Sequence, residues 1–217
     1  MEHVPVGPAA GLVLAAGGGR RLGGRPKALL ERGGRPLVEL AVAALLEGGC
    51  GLVQVVLGAG AAEVRARAVL PGGVVLVENE QWREGMGSSL RAGLASLAGT
   101  RADAAVVTLV DQPFIGARAV ARVLAAHRAG ADLVTAAYGG IRGHPVLLGR
   151  AHWAAVAHSA AGDRGARAYL REHAGALVAV ECGDVAAPDD IDAPGDLPLL
   201  DRDFTPGAPP GGTQGHH

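Results

Sequence analysis

The chain has 217 residues, 49% apolar and 19% charged, with a formal net charge of −1, which suits one domain with a full core and excludes nucleic acid as the main partner. No apolar run reaches the roughly 18 residues a membrane helix needs, and Met1 to Ala10 lacks the apolar centre of a secretory leader. Cys50 and Cys182 match no metal spacing and read as reduced, buried thiols, so a cytoplasmic protein with no membrane partner is expected.

Met1 to Pro8 reads as a loose lead-in within a flexible terminus of residues 1–10. Gly11 to Ala16 is the first strand, opening a domain over residues 11–200. Pro36 to Glu47 carries apolar residues at helical spacing (Leu37, Leu40, Ala41, Ala44, Leu45), and Gly48-Gly49 ends it. Leu52 to Leu57 reads as a fully buried strand. A helix over Ala61 to Leu70 and a strand over Val74 to Val77 follow. The next helix is Ser88 to Leu97, before the strongly apolar strand Ala104 to Val110. This alternation predicts a doubly wound, mostly parallel α/β sheet with right-handed crossovers.

After Asp111 the rhythm changes. Gly116 to Arg128 is a helix and Leu133 to Ala137 a strand. Gly139-Gly140 then turns the chain into a short strand, Pro145 to Leu148, that can run antiparallel to the one before it. Helices over Ala151 to His158 and Gly165 to His173 precede the strand Leu177 to Glu181. Residues 201–217, rich in Pro, Gly and polar residues, read as a disordered tail.

The stretch Leu12 to Lys27 (LVLAAGGGRRLGGRPK) organises the rest. A buried strand running into glycines presents bare backbone N–H groups where open α/β sheets bind ligands, and such N–H groups make an anion nest. Arg20, Arg21, Arg25 and Lys27 bring positive charge to the same loop. Nineteen of the chain's 20 basic residues are arginine and only Lys27 is lysine; a compact ammonium reaches a single phosphate oxygen where a planar fork does not. The GxxxxGK[ST] loop fails because Lys27 follows Pro26 and precedes Ala28. The dinucleotide pattern GxGxxG fails because its third glycine falls on Leu22.

Three further motifs bear chemistry. Val110-Asp111-Gln112-Pro113 ends the apolar strand, where Asp111 reads as a metal ligand or as a turn or cap aspartate. Asp189-Asp190-Ile191-Asp192-Ala193-Pro194-Gly195-Asp196-Leu197 packs four carboxylates into eight residues, which repel unless a cation, an arginine or solvent screens them. Gly85-Met86-Gly87-Ser88-Ser89-Leu90 offers N–H groups and hydroxyls at a helix N-terminus, as a base or ribose contact or simply as a cap. Gly143-His144-Pro145 and Gly162-Asp163-Arg164-Gly165-Ala166-Arg167 lie in the second half.

Leu14-Ala15-Ala16-Gly17, Arg21, Gly23 and Lys27 resemble LAAGxSxRxGxxK, the signature of sugar-nucleotide and cofactor nucleotidyltransferases. The likeness is nearest to the molybdenum cofactor cytidylyltransferase branch of the MobA-like family. There is one extra residue before Lys27, and Gly19 stands where a hydroxyl residue is usual. The likeness runs from Gly11 to Leu197 and implies the Rossmann-like nucleotidyltransferase fold, with one antiparallel strand. It implies catalytic roles for Lys27 and Arg21. It also implies nucleotide contacts from Leu14, Ala15, Ala16, Gly17, Gly18, Gly19, Gly85, Ser88 and Ser89. Asp111 and Asp192 become Mg²⁺ ligands, with Asp190 the substitute for Asp192, while Asp196 takes a structural role. Ala193 and Gly195 replace the family's Thr and Glu. His144, Asp163 and Arg167 are implied acceptor contacts. Asp-Gln-Pro with Leu-Ala-Ala-Gly favours CTP over GTP, which pairs more often with Asp-Met-Pro.

The reaction so implied is CMP transfer from CTP to a phosphorylated pterin, molybdopterin, releasing pyrophosphate. A molybdoenzyme or its maturation chaperone is then a further partner. Other readings stay open: guanylyl transfer, another phosphorylated acceptor, a same-fold oxidoreductase acting on a heteroaromatic compound, and a nucleotide-binding chaperone without turnover.

Overall fold

Ala9–Ala15 forms β1, buried along its whole length. Its pleat sends Leu12 and Leu14 to one face and Val13 and Ala15 to the other, as a strand covered on both sides requires. The computed structural model describes residues 8–203. The rest of the predicted lead-in and tail, residues 1–7 and 204–217, lies outside the described residues. Because β1 begins at Ala9, the last two residues of the expected flexible terminus belong to the central strand.

A small hairpin, β2 (Glu31–Arg32) and β3 (Arg35–Pro36), leads into α1 (Leu37–Gly48). Then come β4 (Leu52–Leu57), α2 (Ala61–Arg67), β5 (Val75–Glu78), α3 (Met86–Ala98), β6 (Ala104–Leu109) and α4 (Ala117–Arg128). The second half contains β7 (Leu133–Tyr138), β8 (Ile141–Gly149), α5 (Trp153–Ser159), α6 (Arg167–Glu172) and β9 (Leu177–Glu181). Seven strands form one sheet in the order β5-β4-β1-β6-β8-β7-β9. Only β8 runs antiparallel to its neighbours, so the sheet is Rossmann-like and mostly parallel with one reversed strand. The strand β8 is nine residues long, against the four read from sequence. Its first half, with Ile141 and Arg142 exposed and Gly143 and His144 half-buried, lacks a continuous apolar signal, and the turn recruits it into the ladder. Gly139 and Gly140 both have positive φ, 58° and 82°, the conformation that a two-residue hairpin turn demands.

Two apolar layers flank the sheet. One packs α1 and α4 against Val13, Val55 and Val106; the other packs α3 and α5 against Leu12, Leu14 and Val107. The chain winds from β1 outward through β4 and β5, then returns to place β6 on the other side of β1. The carboxyl ends of β1 and β6 therefore bound the crevice where the winding direction reverses, the place where such sheets bind ligands.

Candidate active site

At the end of β1, Gly17 and Gly18 enter the crevice and Gly19 turns the chain back at φ +54°. A Cβ on Gly19 would lie 2.0 Å from the Arg25 carbonyl oxygen. The hydroxyl residue usual at this position is therefore excluded by backbone approach, and the Gly19 carbonyl instead accepts from the N–H groups of Leu22 and Gly24, at 2.8 and 3.0 Å. The loop closes on Lys27, which opens a short 3-10 turn, Lys27–Leu29.

The Lys27 ammonium lies between two carboxylates distant in sequence, donating to Asp111 Oδ2 at 2.7 Å and to Asp192 Oδ1 at 2.5 Å. Burial alone would lower the lysine's pKa, but Asp111 and Asp192 outweigh it and hold the group above its ordinary value. Asp111 lies two residues past the end of β6, and its carbonyl accepts from Ile191 N at 2.9 Å, which docks the acidic segment beside the strand end. Asp196 Oδ2 accepts from the N–H groups of Asp192 and Ala193, at 2.9 and 2.8 Å. Asp196 thus has the structural role expected of it and supplies the cap that Ala193 cannot. Gln112 Nε2 donates to Asp190 Oδ1 at 2.8 Å. Asp190 sits behind the pair, its pKa pushed up to about 6 by burial and by Asp111, against the pull of Gln112 and Lys27.

Lys27 and Asp111 face a cavity of about 400 Å³ walled by Leu14, Ala16, Gly17, Gly18, Arg20, Trp82, Arg83, Gly85, Met86, Ser89 and Asp163. Bare glycine backbone, a lysine on paired acids and a serine at the start of a helix are groups of the kind that can bind phosphate. A model of the MobA-like NTP transferase domain matches residues 11–177. The chain belongs to this family. It is 43% identical over 189 residues to a nicotine blue oxidoreductase of Paenarthrobacter nicotinovorans, covering 84% of this chain and 91% of that protein. It is 37% identical over 105 residues to a molybdenum cofactor guanylyltransferase of Cereibacter sphaeroides, 48% of this chain and 51% of that one. The solved structure of Rv0371c from Mycobacterium tuberculosis H37Rv in complex with manganese is similar at 29% identity and a TM-score of 0.66, over 90% of this chain and 98% of that one.

Two carboxylates within reach of one ammonium are a hard-oxygen donor set at the mouth of the MobA-like crevice. Mg²⁺ is commonly held by one or two carboxylates together with phosphate and water oxygens, so Asp111 and Asp192 fit a divalent ion shared with a nucleotide.

The sequence-derived residues divide on this geometry. Leu14, Ala16, Gly17, Gly18, Lys27, Gly85 and Ser89 line the cavity together with Asp111, and Asp192 joins them through Lys27. Ala15 does not, because the pleat points it into the opposite layer. The cavity's arginine from the glycine loop is Arg20 rather than Arg21, since the 3-10 turn Arg20–Leu22 rotates successive side chains away from one another. Ser88 is 3% exposed, and its hydroxyl is occupied by the carbonyls of Gly85 and Gln81 and the Asn79 amide. It is therefore a brace for the start of α3 rather than a wall facing nucleotide.

A second pocket of about 140 Å³ adjoins the first, sharing Leu14 and Met86, and is lined by Thr135, Arg142, His144, Arg164 and Arg167 among others. His144 is pushed down to about 4 by burial and by Arg167. His144 and Arg167 thus share one pocket. Asp163 does not join them; the turn Gly162–Arg164 directs it to the larger cavity. Sequence reasoning missed Trp82 and Arg83, whose guanidinium lies 4.4 Å from the Trp82 ring centroid, and also Arg142, whereas Arg164 belongs to the segment that the sequence singled out. The available signal was Trp82 itself, one of two tryptophans in a chain with 3% aromatic residues.

Proposed function

We propose that this MobA-like domain is a Mg²⁺-dependent cytidylyltransferase that joins CMP from CTP to molybdopterin and releases pyrophosphate. The observation that carries the reading is Lys27 held by Asp111 and Asp192 at the mouth of a glycine-lined cavity. A phosphate oxygen of the acceptor attacks the α-phosphorus, the bond to the β-phosphate oxygen breaks, and pyrophosphate carries away the electron pair. The acceptor phosphate is ionised at neutral pH, so no general base is required, and positioning with charge neutralisation carries the rate. Lys27 binds the α-phosphate as charge builds there. Arg20, which faces the cavity where Arg21 does not, holds the β- and γ-phosphates. Mg²⁺, held by Asp111 and Asp192, supplies further neutralisation of the triphosphate when bound. Ser89 and the backbone of Gly85 meet the nucleoside, while Arg167 and His144, with Arg142 and Arg164, hold the acceptor in the adjoining pocket.

The name of the guanylyltransferase relative and the sequence Asp-Gln-Pro support molybdopterin and cytidine respectively. A second reading, an oxidoreductase acting on a heteroaromatic compound, is favoured by the nicotine blue oxidoreductase similarity over nearly the whole of both chains. In that reading Lys27 and its two acids have no chemistry to perform. Pyrophosphate release from each of four nucleoside triphosphates, with Mg²⁺ and with or without molybdopterin, tests both. Molybdopterin-dependent release with CTP alone is expected. Release with GTP alone reassigns the base, and no release with any of the four, together with redox turnover of a heteroaromatic dye, replaces the first reading by the second.

A further inference from the structure

Lys27 is the sole ion-pair partner of both Asp111 and Asp192 among the described residues. The Lys27 side chain is 14% exposed and Asp111's 19%, against 51% for Asp192, so the ammonium is largely enclosed beside Asp111 and is also paired to the half-exposed Asp192. Two of its three donors are committed to carboxylate oxygens, one on each of the acids that would hold a divalent ion. Among the described residues no other ion pair reaches either acid. Asp190 stands close behind and is itself acidic, hydrogen-bonded to Gln112.

We infer that Lys27 is a resident counter-cation that withholds the acid pair from free divalent metal until a nucleotide's phosphates draw the ammonium away. This inference rests on the proposed reading of Asp111 and Asp192 as metal ligands and adds how that site is regulated. A dication entering the nucleotide-free pair would have to displace the bound ammonium or share the two carboxylates with a like charge at close range, and either weakens binding. The triphosphate removes the conflict by offering Lys27 new acceptors in the cavity that it already faces. The metal then enters with the nucleotide, and the empty enzyme does not collect metal unproductively.

The test is Mn²⁺ binding to the nucleotide-free full chain, read by loss of the free-ion EPR signal, for the wild type, Lys27→Met and Lys27→Gln. Two neutral replacements guard against one failing to fold, which circular dichroism checks. The expected result is that either folded variant binds Mn²⁺ on the order of tenfold or more tightly than the wild type, and that Mn²⁺ raises its melting temperature more. Equal or weaker binding by both folded variants overturns the inference. In that event, continued metal-dependent pyrophosphate release from CTP by the wild type leaves the functional reading standing alone. Absence of both metal binding and release removes the two together.

Discussion

Lys27 combines two properties that pull in opposite directions, a position in the chemistry and a grip on the acids beside it. Lys27→Ala is expected to lower turnover by on the order of a hundredfold with much less change in CTP affinity, because its charge matters most as the transition state forms. Pyrophosphate release at saturating CTP, set beside direct nucleotide binding, checks this. Lys27→Arg is expected to restore little. Two carboxylate oxygens meet on one nitrogen at 2.7 and 2.5 Å, a point that a planar five-donor fork does not reproduce. Near wild-type turnover in that variant would sink the argument. Asp111→Asn and Asp192→Asn should each weaken the Mg²⁺ dependence of the rate, and the double variant should be little worse than the worse single, as for two ligands of one ion. Carboxylate repulsion alone suggests that removing one acid stabilises the empty protein. With Lys27 between the acids that gain disappears, and denaturation midpoints of the single variants should not rise.

At the scale of elements, the site is made by the ends of β1 and β6 with the turns that leave them, the start of α3 and the acidic segment docked on Asp111. Gly19→Ala forces a side chain to within 2.0 Å of the Arg25 carbonyl at a φ of +54°, so the loop must move. A destabilisation of about 2 kcal/mol or more is expected, with loss of CTP binding, and urea denaturation with nucleotide titration reads both. Asp196→Ala removes the acceptor of two backbone N–H groups beside Asp192. It should cost about 1–2 kcal/mol and raise the metal concentration needed for half-maximal rate, because Asp196 holds the Asp192 backbone in place. The periodic elements were legible in sequence because their apolar spacing is set by the local pleat or helical turn. The first half of β8, with Ile141 and Arg142 exposed, was not, because its strand geometry comes from pairing with β7. The β2–β3 hairpin is two residues a side, too short to carry a pattern.

For the whole molecule, pH couples the pocket of His144 and Arg167 to stability. His144 is neutral to about 4 when folded, against an ordinary 6.5. Between these values the unfolded chain binds more protons, so stability falls as pH is lowered from 6.5 toward 4, and this contribution is exhausted below 4. Asp190, raised to about 6, binds more protons folded than unfolded and opposes the trend over part of the same range. The comparison with His144→Gln isolates the histidine. The variant should lose on the order of 1–3 kcal/mol less than the wild type across that window, measured by urea denaturation at stepped pH, and parallel pH profiles would refute the assignment.

The amino-acid sequence by itself determined the doubly wound sheet and the glycine loop with its single lysine, because burial period and glycine spacing are local properties of the chain. It also marked Asp111 and the acidic segment as a pair worth testing, through their likeness to known motifs. Only the tertiary structure decided that Lys27 joins residues 84 and 165 positions away, that Gln112 braces Asp190, and that Arg20 rather than Arg21 faces the cavity. Nor could the sequence separate Asp163 from His144 and Arg167, or show Ser88 turned into its brace with Asn79. The physical reason is common to all of these. Side-chain direction at a turn depends on a few backbone angles that distant contacts fix, and charge pairing follows from where separate strand ends meet rather than from spacing along the chain.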